Sequence, residues 1–118
     1  MKISILLPYK ENFSSNYPGA VSIFISSVIK KSLFKKNITV YGSTNFKNIL
    51  SQNYVNIKLN KNIFSSQTKK YLTNFKKLLK KKDTDLIEIH NRPNYVGYLT
   101  DLNKKIVLYF HNDPTTML

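Results

Sequence analysis

The apolar positions change period several times along the chain. Lys2 to Leu7 is a short apolar run ended by Pro8, the pattern of a buried strand. Residues 9–18 are polar and close on Tyr17-Pro18-Gly19, a loop signal. From Gly19 the period lengthens. Val21, Phe24, Ile25, Val28, Ile29 and Leu33 recur at helical spacing and predict one apolar face. Lys35-Lys36-Asn37 closes that helix with cations suited to its C-terminus. Ile38 to Tyr41 predicts a second strand, stopped by Gly42. Phe46 to Leu50 reads as a helical turn, and Tyr54 to Leu59 alternates as a third strand. Ser65 or Ser66 is placed to cap a second helix with Tyr71, Leu72, Phe75, Leu78 and Leu79 on its inner face. Lys69, Lys70, Lys76, Lys77, Lys80, Lys81 and Lys82 occupy the rest of its surface. Asp85 to Ile89 predicts a fourth strand. Pro93 suits a helix start ahead of Tyr95 to Leu102, and Lys105 to Phe110 predicts a fifth strand.

Strands alternating with helices through short connections imply a parallel sheet with helices on both faces. The expected class is therefore α/β, a Rossmann-like sheet of order 3-2-1-4-5 in one domain spanning residues 1–118. That length suffices for one core. Without cysteine there are no disulfides or thiolate metal sites, and His90 and His111 lie far apart with no carboxylate at metal-ligand spacing. No metal or cofactor is expected. The first apolar run is too short for a signal sequence and no run reaches the roughly 20 residues that span a bilayer, so a cytoplasmic protein is expected.

The net charge of +13 suggests polyanion partners. Arg92 is the sole arginine, however, and arginine is the residue preferred for bidentate phosphate and base contacts. Lysine, asparagine and isoleucine all use A/T-rich codons, so genome composition accounts equally well for the charge. Nucleic acid is the disfavoured partner.

Ligands of open parallel sheets bind beyond the carboxyl ends of the strands, at the topological switch. Three segments fall there: the loop from Pro8 to Gly19, His90-Asn91-Arg92-Pro93, and His111-Asn112-Asp113-Pro114. Gly19 at a helix start lets a ligand approach free N–H groups, or it serves close packing alone. A single glycine is not a dinucleotide fingerprint. Each of the last two strands delivers a His-Asn pair. Histidine exchanges hydrogen bonds near neutral pH, asparagine both donates and accepts, and Arg92 suits an anion. Together they suit a polyhydroxylated, phosphorylated ligand; the bland alternative is that they shape turns before proline. Asp113 is a candidate acid/base group or an Asp-Pro turn residue. Tyr17 and Asn16 are placed to line the cleft by loop position.

Four segments carry a resemblance: Lys2-Ile3-Ser4-Ile5-Leu6-Leu7-Pro8, Pro18-Gly19-Ala20-Val21-Ser22, Asp85-Leu86-Ile87-Glu88-Ile89-His90-Asn91-Arg92-Pro93, and Ile106-Val107-Leu108-Tyr109-Phe110-His111-Asn112-Asp113-Pro114. Over nearly its whole length the chain resembles the N-terminal domain of GT-B-fold glycosyltransferases, within the large retaining family 4, of the type active in polysaccharide and lipopolysaccharide assembly. The resemblance implies sugar transfer from a nucleotide-sugar donor to a hydroxyl acceptor, a glycan or lipid-linked glycan, without a metal. It places Gly19 and Ala20 near the donor phosphates and makes His111 the residue facing the reacting sugar. Asn112 and Asp113 follow His111 into the cleft. Members often carry two glycines where this chain has Gly19-Ala20. The resemblance further implies an incomplete N-terminal domain and a second, donor-binding domain outside residues 1–118, as in a truncated or split gene or a fragment. The chain alone is then expected to turn over negligibly.

Two rival readings stand beside the enzyme part. One is a basic module without catalytic activity that touches an anionic membrane, at its inner face, through the Lys69–Lys82 helix. The other is a bare Rossmann-like scaffold whose fifth strand is an exposed edge.

Overall fold

The structure, a computed structural model, describes residues 1–51, 53–59 and 66–111. Five strands, β1 (Ile3–Leu6), β2 (Ile38–Gly42), β3 (Tyr54–Asn56), β4 (Leu86–His90) and β5 (Lys105–Tyr109), form one all-parallel sheet of order β3-β2-β1-β4-β5. The helices are α1 (Ala20–Lys31), α2 (Gln67–Lys81) and the short α3 (Val96–Leu99), the last flanked by 3-10 turns at Pro93–Tyr95 and Thr100–Leu102. The expected class and strand order are what the chain adopts.

A parallel sheet survives only with its faces covered, and two clusters do this. Leu6, Tyr41, Ile57, Ile87 and Ile89 pack under Tyr71, Leu72, Phe75 and Leu79 of α2 and Leu99 of α3. On the other face Ile5, Leu7, Ile38 and Val40 meet Val21, Ile25 and Ile29 of α1 and Phe13 of the first loop. Ser66 caps α2 by accepting the Lys69 N–H; Ser65, the other cap expected, lies outside the described residues.

Three local expectations differ. The buried stripe of α1 is Val21, Ser22, Ile25, Ser26 and Ile29. Phe24 and Val28 are half-exposed, and Leu33, past the helix end, is 98% exposed. The expected stripe is thus rotated, because two serines turn inward and Phe24 reaches sideways to the end of β5. Residues 46–50 form no helical turn. Asn48 takes a left-handed backbone (φ 62°) and Ile49 makes an antiparallel bridge to Ser14, pinning the first loop. Finally, Lys35–Asn37 is a separate 3-10 turn rather than the end of α1.

The inner faces give a simple stability contrast. Phe75→Ala removes a fully buried ring packed edge-on to Tyr41 at 5.1 Å; denaturant unfolding should show a loss of about 3–5 kcal/mol. Leu33→Ala, which deletes an exposed side chain, should stay within about 0.5 kcal/mol of the parent.

Candidate functional site

The switch point lies between β1 and β4, which pair directly. Its exit is held from below by two tyrosines. The Tyr71 hydroxyl donates to the Leu7 carbonyl (2.7 Å), and the Tyr95 hydroxyl accepts the Tyr9 N–H (2.9 Å). Burial raises both hydroxyl pKa values, Tyr71 well above the ordinary tyrosine range, so both stay neutral.

The first loop then folds back across the start of α1. Glu11 accepts from the Ser22 N–H (3.1 Å) and the Ser22 hydroxyl (2.6 Å). A carboxylate is thereby seated on the positive end of α1, a favourable place for it. Gly19 makes this possible: a Cβ there would lie 1.9 Å from the Glu11 carboxylate. The close approach that Gly19 permits is that of the chain's own acid, Glu11. Ala20, the first residue of α1, is exposed.

His90 and His111 come together at the ends of β4 and β5. His90 is 1% exposed. Its Nδ1 lies 2.7 Å from His111 Nε2 and its Nε2 lies 2.6 Å from Glu88 Oε1. Residues 88 and 90 share a sheet face by strand periodicity, which is why the carboxylate meets the ring two residues on. Tyr109, paired in register with His90, stacks on it at 5.3 Å, and Phe24 meets His111 edge-on at 4.8 Å. Asn91 is left-handed (φ 55°), a conformation asparagine tolerates, and its Oδ1 accepts the His111 N–H (2.7 Å). Asn91 thus ties the β4 exit to the β5 exit. Arg92 turns back, donating to the Asn91 carbonyl (2.7 Å) and approaching the Tyr95 hydroxyl.

The structure therefore gathers His90, Asn91, Arg92, His111 and the Gly19 end of α1 at one edge. Tyr17 is apart from them: it is 82% exposed and its ring meets Phe46. Asn16 joins the Ser14–Asn48 loop contacts. Asn112 and Asp113 lie outside the described residues. A groove of about 640 Å³ at the carboxyl ends of β1, β2 and β3 runs along Tyr9, Lys10, Ser43, Asn45 and Asn56, and neither histidine lines it. Among the described residues no group of three or more metal-ligating side chains is arranged around a cation position, and no helix is long and apolar enough to cross a membrane.

Glu11, Glu88 and Phe24 were not legible as site residues. Glu88 left one signal: a carboxylate inside Leu86-Ile87-Glu88-Ile89-His90 is out of keeping with a covered parallel strand and demands a partner. Comparisons with protein-family models, curated proteins and solved structures find no match to this chain.

Burial, and then the neighbouring His90, lower the His111 pKa; Glu11 and Glu88 oppose this more weakly. A histidine whose folded-state pKa is depressed binds its proton more tightly when unfolded. Its contribution to stability is complete above the ordinary value of about 6.5 and is lost as pH falls through the folded value. Urea unfolding from pH 8 to pH 5 should therefore show a smaller stability loss in His111→Asn than in the parent.

Proposed function

We infer that this chain is the acceptor-side N-terminal domain of a retaining, nucleotide-sugar-dependent GT-B glycosyltransferase that works in the cytoplasm. The observation that carries the reading is the placement of His111. It stands part-exposed at the carboxyl end of β5, its backbone clamped by Asn91 and its ring by His90, across from the start of α1. Ligands of this fold class bind at that edge. An imidazole held on two sides is suited to orient a sugar hydroxyl. The charge at the edge fits an acceptor half: Glu11 and Glu88 are acids, and Arg92 is already turned onto the Asn91 carbonyl. A leaving diphosphate needs concentrated positive charge. In this reading a second domain supplies it, and Asn112 and Asp113 are the next acceptor contacts.

The test is sugar transfer by the whole protein from a panel of nucleotide-sugars to glycan acceptors. His111→Ala should lower turnover on the order of 100-fold. Undiminished turnover in that variant removes His111 from the site, and no transfer from any donor removes the enzyme reading.

A second reading, docking on an anionic surface, has its own observation. Lys30, Lys35 and Lys36 line a groove of about 470 Å³, and Lys2, Lys36 and Lys82 line an adjoining one of about 220 Å³. Both lie at the amino-terminal ends of the strands, away from His111. The apolar face of α2 is consumed by the core, so the Lys69–Lys82 helix offers only charge and does not insert. Co-sedimentation with phosphatidylglycerol vesicles should be strong at 10 mM salt, where screening reaches about 30 Å, and fall steeply toward 1 M, where it reaches about 3 Å. Absence of binding even at the low-salt end rules out this reading.

A further inference from the structure

Part-buried Glu88 and buried His90 together carry more than support for a turn. At neutral pH a carboxylate only accepts hydrogen bonds, and a neutral imidazole donates through one nitrogen and accepts through the other. With Glu88 ionised and both rings neutral, these rules fix every proton in the chain Glu88–His90–His111. Glu88 Oε1 accepts, so His90 Nε2, 2.6 Å away, carries the hydrogen. His90 Nδ1 is then bare and accepts. His111 Nε2, 2.7 Å from it, must therefore be the donor. The remaining ring nitrogen, His111 Nδ1, is left as a lone-pair acceptor, and it bonds to none of the described residues.

The surroundings enforce this direction. The His90 side chain is fully buried, so no water competes for its nitrogens. Tyr109 of β5 covers its face, and Phe24 of α1 closes on both histidines, at 6.5 Å from His90 and 4.8 Å from His111. The charged groups that bear on His111 are Glu88 from β4 and Glu11 from the first loop, with His90 as its titratable neighbour. Neither carboxylate bonds to His111: Glu11 is held by Ser22 and Glu88 by His90.

We propose that Glu88 and His90 are positioning residues that set His111 to accept, through Nδ1, a hydrogen bond from a ligand hydroxyl. The sugar identity of that ligand rests on the glycosyl-transfer reading; the polarity of the nitrogen does not. A phosphate oxygen is itself an acceptor and is repelled by a bare Nδ1, so the group facing His111 is a hydroxyl rather than the donor diphosphate. One added proton reverses the polarity. It enters at Nδ1, the nitrogen that none of the described residues occupies. The Nε2 hydrogen can then pass to His90 Nδ1, which places the positive charge beside Glu88 and leaves His111 as an Nδ1–H donor. Two hydrogens move, the added one and the one shared by the two rings, and no heavy atom does.

The experiment is long-range ¹H–¹⁵N spectroscopy of the ¹⁵N-histidine-labelled protein at pH 8. The expected result is a single tautomer for both rings, hydrogen on Nε2 and none on Nδ1. In Glu88→Ala the direction is no longer imposed, and the His111 signals should move to a mixture of tautomers. His111 carrying its hydrogen on Nδ1 in the parent overturns the proposal. So does a folded Glu88→Ala protein with unchanged His111 tautomer. Should that variant not fold, the parent spectrum alone decides. Titration with a panel of neutral mono- and disaccharides should shift the His111 Nδ1 resonance at pH 8, and sulfate, an anion that only accepts hydrogen bonds at that pH, should not. A shift with sulfate alone overturns the hydroxyl assignment. The expected tautomers with no shift from any sugar sustain the relay and count against glycosyl transfer instead.

Discussion

Burial of β1 on both faces is the constraint on which the rest of this fold depends. Leu6 points into the cluster under α2, while Ile5 and Leu7 point into the cluster under α1. A strand with no solvent face must be central, so β2 and β4 flank it and the chain reverses direction across the sheet there. The crevice at the carboxyl end follows from that reversal, because the loops leaving β1 and β4 diverge. Apolar transfer of about 25 cal/mol per Å² supports such a strand. It also leaves no room for an unpaired polar group, which is why Ser4 is bonded to Thr84 (2.8 Å).

The same rule explains the histidine site. A charged residue and an imidazole stand on β4 where the sheet would otherwise be apolar. Each is tolerated because the other satisfies it, and the third member, His111, comes from the neighbouring strand. The arrangement is polar inside an aromatic frame of Phe24 and Tyr109. That frame excludes water from His90 and leaves one ring nitrogen of His111 as the outlet.

The charge of +13 is distributed along the same axis. Each helix runs antiparallel to the strands, so its C-terminus lies near strand starts. Lys30 and Lys31 end α1, and Lys80 and Lys81 end α2. Cations are favoured at those ends by the helix dipole. Glu11 sits at the opposite, positive end of α1, where an anion is favoured. Local helix electrostatics thus accounts for Lys30, Lys31, Lys80 and Lys81, which end their helices away from the histidines.

Periodicity alone determined the element order, the parallel sheet and its 3-2-1-4-5 order, because alternation and helical spacing are local consequences of which side chains must leave water. It also placed His90 and His111 at one edge, since strand ends and right-handed crossovers leave little choice. Only the tertiary structure decided how those residues are used. The inward turn of Ser22 depends on Glu11, eleven residues away, and the role of Glu88 depends on two rings contributed by different strands. Residues 46–50 take no helical turn, and Ile49 bridges to Ser14 instead. Hydrogen-bond partners distant along the chain leave no periodic trace. A polar residue in an apolar strand announces that a partner exists, and the fold alone reveals which one.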